Sequence, residues 1–142
     1  ILCWGDRDIK IDWTTIDDTA LYTAHAALDH STPRYLYIAG DELSANDLVK
    51  TMNELTNKKY RILQPGNLSL FKALITMTKF FSPGAGKKYP AWQGMQYMHS
   101  MYSGKCKFEY LDNQRYPVNF KTVKAYLREF LEGEISKYQL KG

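Results

Sequence analysis

Four residues of one short segment have the types and spacing to form a ligand wall. Trp92, Met95, His99 and Tyr102 recur at helical intervals. A helix from Pro90 to about Ser103 would place them on one side, and Pro90 suits its first turn. Methionines mixed with aromatic rings give an adaptable apolar surface, useful against a planar organic substrate. The same spacing also describes an ordinary helix seam, and the residues alone leave both readings open. The preceding run, Ser82-Pro83-Gly84-Ala85-Gly86, is a mobile connection able to act as a hinge.

Other groups fail the tests of spacing. Gly84-Ala85-Gly86-Lys87-Lys88 invites a phosphate-loop reading, but that motif needs a glycine where Phe81 stands and a Ser or Thr where Lys88 stands. A flexible basic loop is the better account. Asp17 and Asp18 invite acid–base work as paired carboxylates, yet adjacent residues point apart and either one can cap a helix. His25, His30 and His99 have no metal-ligand spacing, and neither do Cys3 and Cys106, so no metal is expected. Two cysteines are too few for a disulfide framework, which sets a reduced, cytoplasmic compartment as the expectation.

The elements that must position these residues follow from periodicity. Ile9, Ile11 and Trp13 alternate with polar residues, as in a half-buried strand. A helix is predicted over about Thr19 to Asp29, with Ala20, Leu21, Ala24, Ala27 and Leu28 as its apolar stripe. Tyr35 to Ala39 is apolar on both faces and reads as an interior strand of a mostly parallel sheet. Ser44 and Asp47 make a capping-box start for a second helix, and Tyr60 to Gln64 reads as another strand. Leu70, Phe71, Leu74, Ile75, Met77 and Phe81 give a helix apolar on two sides, expected to lie sandwiched. Cys106, Phe108 and Tyr110 suggest an extended segment. Val123, Tyr126, Leu127, Phe130 and Leu131 form the clearest amphipathic helix, closed by Gly133. The layered order is that of an α/β fold with short, mostly parallel strands and about five helices.

Length and composition fit one soluble domain. The chain has 142 residues, 44% of them hydrophobic and 24% charged. Aromatic residues make up 14%, Tyr foremost, which suits sheet faces, seams and a pocket or interface. The net charge of +4 comes from small scattered groups such as Lys58-Lys59 and Lys105 with Lys107, so no nucleic acid is expected as a partner. No stretch is long and apolar enough to span a membrane, and no membrane partner is expected.

The order of these segments resembles the C-terminal half of atypical short-chain dehydrogenases, in particular the NmrA-like and isoflavone-reductase-like group. Three segments carry the resemblance. Asp18-Thr19-Ala20 matches a "hydrophobic-x-Asp-hydrophobic-Ala" motif, with Thr at the usually apolar position. Ser44-Ala45-Asn46-Asp47-Leu48 matches a "Ser-x-x-Glu/Asp-hydrophobic" segment, and Asn113-Gln114-Arg115-Tyr116-Pro117 precedes a final helix. The resemblance implies a Rossmann-like parent that uses NADP or NAD, with residues 1–132 as its substrate-side part and 133–142 as a tail. The glycine fingerprint for dinucleotides is missing here, as is Tyr-x-x-x-Lys, so no catalytic or cofactor-binding residue carries over. The expected partners are a small-molecule substrate and the parent's own N-terminal nucleotide-binding half. The expected reaction is reduction of a small carbonyl, enone or quinone-like compound. A non-catalytic NAD(P)-sensing regulator with a protein partner is the alternative.

Overall fold

A computed structural model describes residues 1–84, 86 and 88–139. Its elements are β1 (Ile11–Trp13), α1 (Ile16–Leu28), β2 (Asp41–Leu43), α2 (Ala45–Thr56), α3 (Leu68–Phe81), α4 (Ala91–Tyr102), a 3-10 turn at Asn113–Arg115, and α5 (Val123–Gln139). β1 and β2 pair as a two-stranded sheet. The class is α/β with five helices among the described residues, as expected, but the sheet is two antiparallel strands in place of the mostly parallel strands expected. The chain forms two compact units, one of residues 1–11, 43–53 and 58–107, the other of 12–42, 54–57 and 108–142.

In the first unit the N-terminal segment runs beside residues 61–66. Leu2 and Leu63 form a parallel bridge, and Cys3 N–H donates to the Leu63 carbonyl at 3.0 Å. The expected strand at Tyr60 to Gln64 is thus reduced to one bridge. Trp4 stacks on Phe71 of α3 with ring centroids 4.4 Å apart, and both are buried with Cys3. Gly5 sits at φ +75°, against Leu68, where a Cβ would come within 2.9 Å of Cγ. α2 opens with the expected capping box: Ser44 N–H and Oγ–H reach Asp47 Oδ2 at 3.0 and 2.8 Å, and Asp47 N–H returns to Ser44 Oγ at 3.2 Å.

α3 departs from its expected sandwich. Phe71 is buried and Leu74, Ile75 and Thr78 are half-buried on one side. On the other, Leu70, Met77, Phe80 and Phe81 are exposed. Ala85 and Lys87 of the connection to α4 lie outside the described residues.

In the second unit the cap of α1 is Thr15, whose hydroxyl accepts from Asp18 N–H at 3.0 Å. Neither aspartate is the cap. Asp18 is buried in the third helical position and accepts from Lys121 N–H at 2.9 Å. The expected stripe of α1 is also turned around. Ala20, Leu21, Ala24, Ala27 and Leu28 are exposed, while Tyr22 is buried and His25 half-buried. Tyr22 holds that side inward because its hydroxyl donates to the Asp112 carbonyl at 2.6 Å and its ring meets Tyr116 edge-on at 4.9 Å.

Tyr35 to Ala39 is extended but joins no strand ladder, which corrects the interior-strand expectation. Tyr35 is 63% exposed and Ala39 alone is buried. Asp112 and Asn113 take the place of a neighbouring strand. Tyr37 N–H donates to Asp112 Oδ2 at 2.8 Å and its carbonyl accepts from Asp112 N–H at 2.6 Å. Asn113 repeats the pattern on Ala39, accepting at 3.1 Å and donating at 2.6 Å.

The start of α5 is held by Asp41 Oδ2, which accepts from Val123 N–H at 2.9 Å. Gly133 lies inside this helix and does not close it, so the expected tail begins within α5; residues 140–142 lie outside the described residues.

Candidate functional site

α4 forms where the spacing predicts it. Pro90 occupies the N-cap at φ −65°, and the helix ends at Ser103 with Gly104 left-handed at φ +73°. Trp92, Met95, His99 and Tyr102 lie on one side of it, all half-buried. Lys79 of α3 holds its ammonium 4.9 Å from the Trp92 ring centroid. Phe71 of α3 lies 6.2 Å from the His99 ring. Trp92 and His99 thus face α3, and Met95 and Tyr102 lie on the same side of the helix, the four spanning roughly 15 Å of its length.

The polar atoms of Trp92 and Tyr102 are committed to backbone. Trp92 Nε1–H donates to the Pro83 carbonyl at 3.2 Å, which ties the connecting loop to α4. The Tyr102 hydroxyl donates to the Leu2 carbonyl at 2.8 Å. Burial pushes the Tyr102 phenol above its ordinary value, with a smaller push from Cys3, so it stays a neutral donor at physiological pH. Cys3 is fully buried and its thiol is also raised by burial, which makes it an unreactive packing residue. The arrangement offers an apolar wall with one imidazole, His99, and no partnered base or nucleophile.

A second polar constellation, which spacing did not reveal, lies in the other unit. Arg115 Nη2–H reaches Asp29 Oδ2 at 2.8 Å and the Ser31 carbonyl at 2.9 Å. The Tyr116 hydroxyl donates to the same Asp29 oxygen at 2.8 Å. Hydrogen bonds from Ser31, then Arg115 and Tyr116, hold the Asp29 carboxyl well below the usual range. The Tyr116 hydroxyl and Asp29 raise Arg115 in turn. The group staples the end of α1 to the 3-10 turn. A shallow concavity of about 460 Å³ follows Leu111 to Arg115, but Asp112, Asn113 and Arg115 all use their heads internally. The only sequence signal was the Asn113–Pro117 segment, whose residues sit far from Asp29 along the chain.

The chemistry of a dinucleotide's pyrophosphate can be tested against the helix N-termini. Free N–H groups there attract anions. α1 carries Asp17 and Asp18 in its first turn, α2 carries Asp47, and α5 has Asp41 on its first N–H. These three ends are already supplied with negative charge and do not fit a pyrophosphate. Among the described residues no cluster of His, Cys, Asp and Glu could hold a metal ion. None of the described helices is long and apolar enough to cross a membrane.

No family model matches the chain. It is similar to the bifunctional pinoresinol-lariciresinol reductase 2 of Thuja plicata, with 28% identity over 142 residues, covering 92% of this chain and 42% of that protein. The chain thus spans less than half the length of the curated relative it matches. The likeness is to a reductase, and it runs through both units and both constellations.

Proposed function

We propose that the chain is the substrate-side part of an NAD(P)-dependent reductase of the NmrA-like, isoflavone-reductase-like group. The observation that carries this is the match over 92% of the chain to a reductase. In this reading NADP or NAD binds outside the 142 residues, because the sequence holds no glycine fingerprint for a dinucleotide, and α1, α2 and α5 present carboxylates at their N-termini. The hydride is the cofactor's contribution. These residues orient the acceptor and exclude water from it. Trp92, Met95, His99 and Tyr102 form the wall against which a small carbonyl, enone or quinone-like compound lies.

The exposed side of α1 supports the same reading. Ala20, Ala24 and Ala27 with Leu21 and Leu28 are what a helix presents when it packs closely on a sheet. The nucleotide-binding half of the parent would supply that sheet. Titration calorimetry of NADPH into the 142-residue chain tests the division of labour. Binding much weaker than micromolar is expected, and micromolar affinity would overturn it.

A further inference from the structure

Between Glu54 and Glu109 the chain has nine lysines and arginines and not one Asp or Glu. The scattered basic groups are therefore a single acid-free stretch, and it includes the whole α3–α4 pair. The C-terminal end of α3 and the N-terminal end of α4 lie at the same end of that pair, joined by residues 82–90. Gly84 closes against Pro90 there, where a Cβ would come within 2.5 Å of the proline Cβ. Phe80 and Phe81 project at this tip, 79% and 76% exposed, in edge-to-face contact with centroids 5.1 Å apart. Tyr89, two residues before α4, is 79% exposed, with the Lys88 ammonium 5.7 Å from its ring centroid. Lys79, just before Phe80 on α3, holds its ammonium over Trp92.

We propose that the tip formed by Phe80, Phe81 and Tyr89 with Lys79 and Lys88 is a peripheral docking site for an anionic lipid surface. Three properties favour lipid as the occupant. Paired phenylalanines have no hydrogen-bonding group to read a nucleotide, but they insert readily at the boundary of headgroups and acyl chains. Tyrosine sits at that same level, with its ring inward and its hydroxyl in the wet layer. Both cations placed at the tip, Lys79 and Lys88, are lysines, which suit diffuse attraction to a charged surface better than bidentate phosphate recognition. Surface docking needs no spanning segment, so the lack of one in the sequence does not oppose it. The proposal is independent of the reductase reading.

Co-sedimentation with vesicles rich in phosphatidylserine tests it, with pure phosphatidylcholine vesicles and a single-stranded oligonucleotide as competitors. Binding to the anionic vesicles is expected. It should fall steeply as salt rises from about 0.1 M to about 1 M, where the Debye length drops from roughly 10 to 3 Å. Lys79→Gln and Lys88→Gln should each weaken it about fivefold. A Phe80→Ser, Phe81→Ser double variant should weaken it at least about tenfold, with an unchanged melting midpoint because both side chains are exposed. A Phe81→Trp variant should blue-shift its emission on the vesicles. No sedimentation, equal binding to neutral vesicles, or preference for the oligonucleotide would overturn the proposal. So would a double variant that alters self-association and leaves vesicle binding intact.

Discussion

At the scale of single residues, the acidic side chains divide into roles that spacing alone did not separate. Asp18 looked like a cap because it opens a helical pattern, but Thr15 does the capping and Asp18 is a buried acceptor for Lys121 N–H. Loss of a cap costs about 1 kcal/mol, whereas stranding a buried N–H costs about 1 to 3 kcal/mol. Asp18→Ala should therefore destabilise the protein more than Thr15→Ala in urea unfolding, and the reverse order would remove Asp18 from that role. Asp47 was legible, since Ser44 three residues earlier completes the capping pattern. The Lys10 ammonium, then the Ser44 N–H, lower its carboxyl from 3.8 to about 2. A lowered carboxyl stabilises the fold in its ionised form, so the contribution is complete above 3.8 and lost as pH falls to about 2. At 37% exposure solvent screening keeps it small. Asp47→Asn should flatten the acid limb of a stability–pH curve, and an unaltered limb would show that the pair contributes nothing.

At the scale of elements, the helices and β1 were readable, and the other extended segments were not. A helix satisfies its own backbone, so local period and caps suffice, as for α4 between Pro90 and Gly104. An extended segment needs partners that sequence does not name. Tyr35 to Ala39 has the composition of an interior strand, yet its partners are the side chains of Asp112 and Asn113. Asn113→Ala removes both bonds to Ala39 and should cost about 2 kcal/mol, at roughly 1 kcal/mol each. Faster amide exchange at Ala39 would report it, and unchanged protection would contradict it. Periodicity also could not tell which side of a helix finds cover. On α3, Phe71→Ala should cost about 3 to 5 kcal/mol as a core truncation. Leu70→Ala, on the exposed side, should stay within about 0.5 kcal/mol. Thermal unfolding of the two variants compares the faces directly, and similar losses would mean that the outer side is covered after all.

At the scale of the whole molecule, the candidate wall was legible because four residues on one helix share a face. The Asp29–Arg115–Tyr116 staple was not, because its members come from distant parts of the chain. The central claim is that this chain orients the acceptor of a reductase whose cofactor binds elsewhere. Met95 separates the two tasks, being half-buried in the wall and apolar. The most direct measurement is NADPH oxidation by the full parent protein over a panel of quinones and enones, for wild type and Met95→Trp, with NADPH affinity measured alongside. A bulkier indole in the wall should raise KM or lower kcat/KM for the best acceptor about tenfold, the scale of 1.4 kcal/mol, and leave NADPH affinity within twofold or so. Unchanged turnover with Met95→Trp, or a parallel loss of NADPH affinity, would contradict the account.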